Sequence, residues 1–232
     1  MASNSSSRQK SNQSQGVSRT TTWVVLGIVL LVLVALLIAL FTSGSSSDDD
    51  DGADGGVTTP IEVVAQNFPV TVNGEALPPL NGEGVDAAVG MIAPQLVGQS
   101  FDGSTITVAP GDGQAYMIVF LAHWCPHCNA EIPRLVSWFE SGQVPDNLRV
   151  IGVSTASAAD RPNYPPSEWI VETRWPWEIL ADSVDNTAAA AFGVSGFPFF
   201  AIVGSDGVVK VRQSGEVETE VLQQLIASAL SS

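Results

Sequence analysis

The two cysteines of the chain lie three residues apart, in the stretch FLAHWCPHCNAEIPRL at residues 120–135. A Cys-x-x-Cys pair between a predicted strand and a predicted helix is typical of redox chemistry. If Cys125 begins the helix, its sulfur faces unpaired backbone N–H groups and the positive end of the helix dipole, which favour the thiolate. Cys128, one turn later, is then close enough to attack a mixed disulfide. We therefore expect Cys125 to be the exposed nucleophile and Cys128 the resolving thiol.

Three other interpretations of the pair are weaker. A disulfide that closes only four residues constrains the unfolded chain by about 2 kcal/mol, which is little for a structural crosslink. A zinc site needs four ligands, and the thiols have only His123 and His127 to join them, so we expect no metal. A buried reduced pair is disfavoured if this part of the chain is extracytoplasmic, because thiols there meet an oxidising environment. A protonated His127 beside the sulfur would further stabilise the thiolate and make the disulfide a stronger oxidant.

The segments around the pair alternate between strand and helix patterns. Strands are predicted at STITV (104–108), AYMIVFLA (115–122), LRVIGVST (148–155) and both halves of FFAIVGSDGVVKVR (199–212). Helices are predicted after the cysteines as far as Gly142, at DNTAAAAFGV (185–194) and at ETEVLQQLIASAL near the carboxyl end, while 156–181 is a Pro- and Trp-rich connection. This order predicts an α/β fold in which the first strands pair in parallel and the last two form an antiparallel hairpin.

The amino-terminal quarter of the chain has a different composition. Residues 1–22 are polar and predict a disordered tail, and residues 42–59 predict an acidic Ser/Gly/Asp linker. Between them, residues 23–41 are apolar throughout and would span about 28 Å as a helix, enough to cross a membrane. Lys and Arg precede this run and Asp follows it, which places the amino end in the cytoplasm. The run exceeds a signal-peptide core and lacks a good cleavage site, so we expect an uncleaved anchor.

The rest of the chain is predicted to be extracytoplasmic. Residues 60–90 predict an amino-terminal extension, with a hairpin at Asn73-Gly74 in VTVNGEAL, and residues 91–232 the main domain. The net charge is −15, and only six Lys and Arg follow residue 60. This balance disfavours nucleic acid and anionic lipid surfaces as partners.

At FLAHWCPHCNAEIP the chain resembles the thioredoxin-fold thiol-disulfide oxidoreductases, specifically the membrane-anchored, extracytoplasmic TlpA/ResA-like branch. The resemblance continues through AP at 94, FDGSTITV, VIGVS, FGVSGFP and the GSDG hairpin, in the order that the family has them. It implies a thioredoxin-like fold, a central mixed sheet flanked by helices, after an amino-terminal transmembrane helix.

The resemblance also assigns roles to site residues. It implies that Cys125 is the nucleophile and Cys128 the resolving cysteine. Glu131 stands where the family has an acidic residue that tunes thiol acidity or passes a proton, although a glutamate on the helix surface is an equal alternative. Pro198 matches the cis-proline that lies against the dithiol and lets the neighbouring backbone pair with a substrate. Phe197 is larger than the residue usual before this proline.

Other positions depart from the family or stay open. Val119 stands where thioredoxin has a buried aspartate that assists the resolving thiol, a task that Glu131 could take over. Ala122 stands where peroxidases of the same fold have a threonine, which disfavours peroxide chemistry. Trp124 either shields the sulfur or packs, and His123 is expected to be a surface residue at a strand end.

The function implied is dithiol-disulfide exchange with protein substrates, without a cofactor and with a membrane electron-transfer partner. The family favours the reductase direction. The Cys-Pro-His-Cys spacer is also that of strongly oxidising enzymes, so an oxidase that introduces disulfides is an alternative. A non-enzymatic module that senses redox state or binds a partner is a second alternative.

Overall fold

One mixed sheet organises this computed structural model, which describes residues 64–82 and 84–231. Its eight strands within those residues are β1 (Thr71–Asn73), β2 (Gln95–Gln99), β3 (Thr105–Val108), β4 (Ala115–Leu121), β5 (Leu148–Ser154), β6 (Glu178–Ala181), β7 (Phe199–Val203) and β8 (Val209–Ser214). The strand order is β1-β2-β6-β5-β4-β7-β8, and β3 pairs with β2. The helices are α1 (Pro126–Glu140), α2 (Pro166–Glu172), α3 (Thr187–Ala191) and α4 (Thr219–Leu230).

Strand β4 lies inside the sheet and is buried along its whole length. Because side chains alternate across a strand, Met117, Val119 and Leu121 pack on one face with α1 and α4. Tyr116 and Phe120, with Ile118 between them, pack on the other face with α3. Burial on both faces explains why this strand has a continuous apolar sequence instead of an alternating one.

The pairing of the strands confirms the predicted α/β order. Strands β4 and β5 pair in parallel, as do β5 and β6, whereas β7 pairs with β4 and with β8 in antiparallel fashion. Helix α3 is followed, after its C-cap Phe192, by Gly193 at a φ of +63°. A Cβ atom at Gly193 would also clash with the Pro78 carbonyl oxygen, so glycine is required there on both grounds.

The hairpin predicted at Asn73-Gly74 is wrong. Strand β1 ends there, and its partner is β2, which follows about twenty residues later. The segment after Gly74 contains Pro78 and Pro79, which have no N–H to give to a returning strand. It turns instead to the end of α3, where Leu77 donates its N–H to the carbonyl of Ala191.

Three elements were absent from the sequence prediction. Strand β2 and strand β6 are short, and α2 lies in the segment predicted as a Pro- and Trp-rich connection. Pro166 at the first turn of α2 is a helix-start signal in the sequence, because proline lacks the N–H that would have no partner inside the helix at that position.

The predicted tail (1–22), membrane span (23–41) and acidic linker (42–59) lie outside the described residues. Among the residues that the structure does describe, no helix has the length and apolar character needed to cross a membrane.

A buried ion pair between Arg212 and Asp86 fixes the segment before β2 to the sheet. Arg212 lies on β8 and is 6% exposed. Its Nε donates to Oδ2 of Asp86, in the segment before β2, at 2.9 Å. Its Nη1 donates to the carbonyl oxygens of Pro78 and Phe192, each at 2.8 Å. Hydrogen bonding to Arg212 lowers the pKa of the Asp86 carboxyl against the opposing effect of burial. One guanidinium therefore joins three segments of the chain.

We expect Asp86→Asn to destabilise the fold by about 3 kcal/mol at neutral pH, because it leaves a buried guanidinium without its counter-charge. The pKa of Asp86 is lower in the folded protein than in the unfolded chain. Its contribution to the free energy of unfolding is therefore complete above the ordinary pKa range of a carboxyl and is lost as the pH falls through the pKa of the folded state. Urea unfolding followed by tryptophan fluorescence should give a difference between wild type and variant that shrinks on acidification. Glu178→Gln, at the half-exposed pair with Arg149, is the control and should change stability little.

Candidate active site

Cys125 lies where the chain leaves β4 and begins α1. Its N–H donates to the Ala122 carbonyl at 3.0 Å, and its own carbonyl accepts the N–H of Asn129 at 3.1 Å. It is the N-cap of α1, with extended backbone angles, and Pro126 follows at the first helical position. The sulfur therefore stands at the amino end of a 15-residue helix, as the sequence predicts.

Both cysteines are free thiols and both are buried. The expectation of an exposed nucleophile is wrong in degree, since Cys125 is only 5% exposed. The reason is the loop before β7, where the Phe197 carbonyl accepts a hydrogen bond from the Cys125 thiol at 3.5 Å. Cys128 is fully buried, and this burial, with the nearby Cys125 and the charge of Glu131, raises the pKa of its thiol.

Trp124 and Phe197 lie next to the reactive cysteine, since Trp124 precedes Cys125 in the chain and the Phe197 carbonyl contacts its thiol. Their rings meet edge to face at 6.1 Å, and the Phe197–Pro198 peptide bond is cis. The Trp124 indole N–H donates to the Ala156 carbonyl at 2.8 Å, and the guanidinium carbon of Arg161 lies 5.2 Å from the centre of the ring. Both aromatic residues are half-buried.

Glu131 is fully buried one turn after Cys128 on α1, and the surface alternative for this residue is wrong. Its Oε2 accepts the Val217 N–H at 3.1 Å and an Arg134 N–H at 3.1 Å, while Oε1 has no hydrogen-bond partner among the described residues. Burial raises the pKa of the carboxyl, opposed by those two hydrogen bonds. A carboxyl in this state is suited to take up and release a proton.

His127 is exposed and is paired with a carboxylate. Its Nδ1 lies 2.7 Å from Oε1 of Glu216, in the segment between β8 and α4. The bond to His127 is the first cause of a lowered pKa at Glu216, and the bond to Arg134 is the second. The imidazole between the two cysteines is thus connected to a charged group that the sequence analysis did not include.

His123 is fully buried, and the expectation of a surface position is wrong. Its Nε2 accepts the Ala158 N–H at 3.1 Å, so its Nδ1, 2.7 Å from the Pro162 carbonyl, carries the proton and donates it. Burial lowers the pKa of the ring. The neutral imidazole therefore holds the loop after β5 against the start of α1.

Asn129 completes the support of the cysteine turn. Its Nδ2 donates to the carbonyls of Cys125 at 2.8 Å and His123 at 3.1 Å, and its Oδ1 accepts the Trp169 indole N–H at 2.9 Å. These contacts fix the backbone on both sides of Trp124 and Cys125.

Within residues 64–82 and 84–231, no group of three or more His, Cys, Asp or Glu is arranged to hold a metal ion.

Three contributors to the site were missed from the sequence. Arg134 carried a usable signal, because it lies three residues after Glu131 and this spacing places both on one side of a helix. Glu216 and Asn129 carried no usable sequence signal. Glu216 reaches the site from a segment distant in sequence, and the role of Asn129 depends on Trp169 from another helix.

Comparison with known proteins gives a family and a fold. The chain matches the model of the AhpC/TSA family over residues 89–212, more than half of its length. The solved structure of a thiol:disulfide interchange protein of the thioredoxin family from Chlorobium tepidum superimposes with a TM-score of 0.50, at 22% identity, covering 62% of this chain and 99% of that one. This likeness establishes the thioredoxin-like fold with its mixed sheet.

Two curated relatives each match about half of the chain. The thiol:disulfide interchange protein HelX of Rhodobacter capsulatus is 25% identical over 120 residues, which are 52% of this chain and 63% of the relative. Probable nucleoredoxin 1 of Arabidopsis thaliana is 26% identical over 116 residues, 50% of this chain and 20% of the relative. The chain thus spans less than two thirds of either relative.

We expect the two thiols to differ strongly in reactivity. In a Cys128→Ser variant, iodoacetamide should modify Cys125 at least about tenfold faster at neutral pH than it modifies Cys128 in a Cys125→Ser variant, because burial raises the pKa of Cys128. Mass spectrometry of timed samples measures both rates. In a denaturant the rates should converge, and equal rates in the folded variants would contradict the assignment of the nucleophile.

Proposed function

This chain belongs to the AhpC/TSA family, and we propose that it is a membrane-anchored thiol-disulfide oxidoreductase that exchanges dithiols and disulfides with protein substrates. The observation that carries the proposal is the position of Cys125. It is the N-cap of α1, lies beside the Phe197 carbonyl, and is followed by the buried Cys128 within the first turn of the helix. A thiol in that position can attack a sulfur of a partner protein, and the second, buried thiol can then resolve the mixed disulfide.

The reaction that we propose in the reductase direction has two displacements. The Cys125 thiolate attacks one sulfur of a substrate disulfide, forming a mixed disulfide and releasing the other substrate sulfur as a thiolate. Cys128 then gives its proton to the Glu131 carboxylate and attacks the Cys125 sulfur. The second substrate thiolate leaves, so the substrate gains two electrons and the enzyme becomes a Cys125–Cys128 disulfide.

Glu131 supports the second displacement. The Cys128 thiol is buried, so at neutral pH it needs a nearby proton acceptor before it can attack. Val119 on β4 is apolar and offers no acceptor, whereas Glu131 is buried on the same helix with one oxygen free of hydrogen bonds to the described residues. Ala122, fully buried, has no hydroxyl to orient a peroxide, which favours disulfide chemistry over peroxide chemistry.

The membrane location in the proposal rests on the sequence. The apolar run at 23–41, with Lys and Arg before it and Asp after it, would place the folded residues outside the cytoplasm. There a reductase needs electrons delivered across the membrane, so we include a membrane electron-transfer partner. The relatives HelX and DsbE carry names as thiol:disulfide interchange proteins, which agrees with protein thiols as the substrates.

Replacing Cys128 with Ala should trap substrates as mixed disulfides through Cys125, because the second displacement is lost. Non-reducing electrophoresis of cells that express the variant should reveal adducts that dissociate on reduction. A Cys125→Ala/Cys128→Ala double variant is the control and should form none. A single variant that forms no adduct would favour the alternative of a non-enzymatic module.

The reduction potential of the Cys125/Cys128 couple distinguishes the two directions of electron flow. For a reductase we expect a value of about −270 mV after equilibration with glutathione, measured by alkylation of the free thiols and mass spectrometry. A value of about −120 mV would instead assign an oxidase. His127→Pro should then lower the potential, since it removes the imidazole from between the cysteines.

A further inference from the structure

Arg134 connects the buried acid of the site to the surface. Its Nη1 donates to Glu131 Oε2 at 3.1 Å and to Glu216 Oε2 at 2.8 Å, and its Nη2 lies 3.6 Å from Glu218. Glu216 in turn lies 2.7 Å from the imidazole of His127. A continuous line of charged contacts therefore runs from the exposed residue between the cysteines to the buried carboxyl behind them.

The charge of Glu131 depends on how Arg134 is shared. A cation beside a buried carboxyl favours its ionised form, and burial opposes it. Arg134 also serves Glu216, so part of its field is already compensated by a second carboxylate. When His127 carries a proton it compensates Glu216 as well, and the net positive field of this group at Glu131 becomes stronger. When His127 is neutral, that field becomes weaker.

Few other groups among the described residues act on Glu131. From its own helix these are Arg134 and Cys128, and from the segment after β8 they are the Val217 N–H and Glu216. Glu218 is largely exposed and reaches the group only through Arg134. Proton affinity at Glu131 is thus governed by one cation, one backbone donor and a neighbouring carboxylate.

We propose that Arg134 is a positioning residue that sets the proton affinity of Glu131, and that Glu216 and His127 adjust how strongly it does so. The proposal rests on the proposed exchange reaction, in which Glu131 accepts the proton of Cys128. It couples the protonation of His127, which lies between the two cysteines, to the deprotonation of the Cys128 thiol.

The two displacements can be followed separately with Ellman's reagent. The Cys125 thiolate attacks the aryl disulfide and releases one thionitrobenzoate, leaving a mixed disulfide on Cys125. Cys128 then passes its proton to Glu131, attacks Cys125 and expels the second thionitrobenzoate, so two electrons move from the protein to the reagent. Because the chain has only two cysteines, both phases of absorbance belong to this pair.

Stopped-flow traces of the full-length reduced chain in detergent, recorded across a pH series, test the proposal. In Arg134→Met the midpoint of the second phase should move up by about one pH unit, because Glu131 keeps its proton to higher pH without the cation. Arg134→Lys keeps the charge and should restore most of the wild-type profile. In Glu216→Gln the midpoint should move down, because Arg134 then acts on Glu131 alone.

Opposite shifts from Arg134→Met and Glu216→Gln separate an electrostatic role from a structural one, since loss of packing would slow both variants alike. In a Glu131→Gln background, Arg134→Met should have no further effect on the profile. Arg149→Met, which removes a half-buried ion-paired arginine elsewhere, is the matched control and should leave the profile unchanged.

The outcomes distinguish this proposal from the exchange reaction itself. Absence of a second phase in the wild-type chain would overturn the exchange reaction. A normal second phase whose pH midpoint is unmoved by Arg134→Met, or moved equally in the Glu131→Gln background, would overturn the role of Arg134 alone. Circular dichroism of each variant verifies that the fold is kept.

Discussion

The burial of β4 on both faces is the constraint on which the site depends. At the carboxyl end of β4 its two neighbouring strands also have ends: β5 finishes beside it and β7 begins beside it. The segment after β5 therefore supplies Ala156 to Trp124, and the segment before β7 supplies the Phe197 carbonyl to Cys125. The pairing of three strands brings together groups that are up to about seventy residues apart in sequence.

Helix α1 begins directly after Cys125, whose thiol lies beside the Phe197 carbonyl, and buries Cys128 completely. A thiol that has lost contact with water cannot ionise without help, and the only neighbouring carboxyl on the helix is buried as well. Burying a charge is costly unless it is hydrogen-bonded and paired. The Val217 N–H and Arg134 meet that requirement for one oxygen of Glu131 and leave the other oxygen without a described partner.

Sequence patterns predicted the long elements and the reactive pair, because those signals are local. The apolar run of β4, the helical spacing after Cys128 and the turn between β7 and β8 each fall within a short window. Strand β6 has only four residues and no such signal. The Asn73-Gly74 pair led to a wrong hairpin prediction, because a hairpin also needs a second strand directly after the turn that is able to pair. His123 was misplaced for a similar reason, since its two partners come from a loop about 40 residues further on.

The neutral His123 gives that loop a chemical sensitivity of its own. Both ring nitrogens are occupied, one accepting from Ala158 and one donating to Pro162, so the ring has no free position for a second proton. Protonation in acid would turn the acceptor nitrogen into a donor that faces another donor, and the bond to Ala158 would be lost. Folding favours the neutral ring, so this contribution is present above the ordinary histidine range and declines as the pH falls below it. Proton uptake by the imidazole in an acidified compartment would therefore weaken the attachment of the loop that carries Arg161 to the segment before α1.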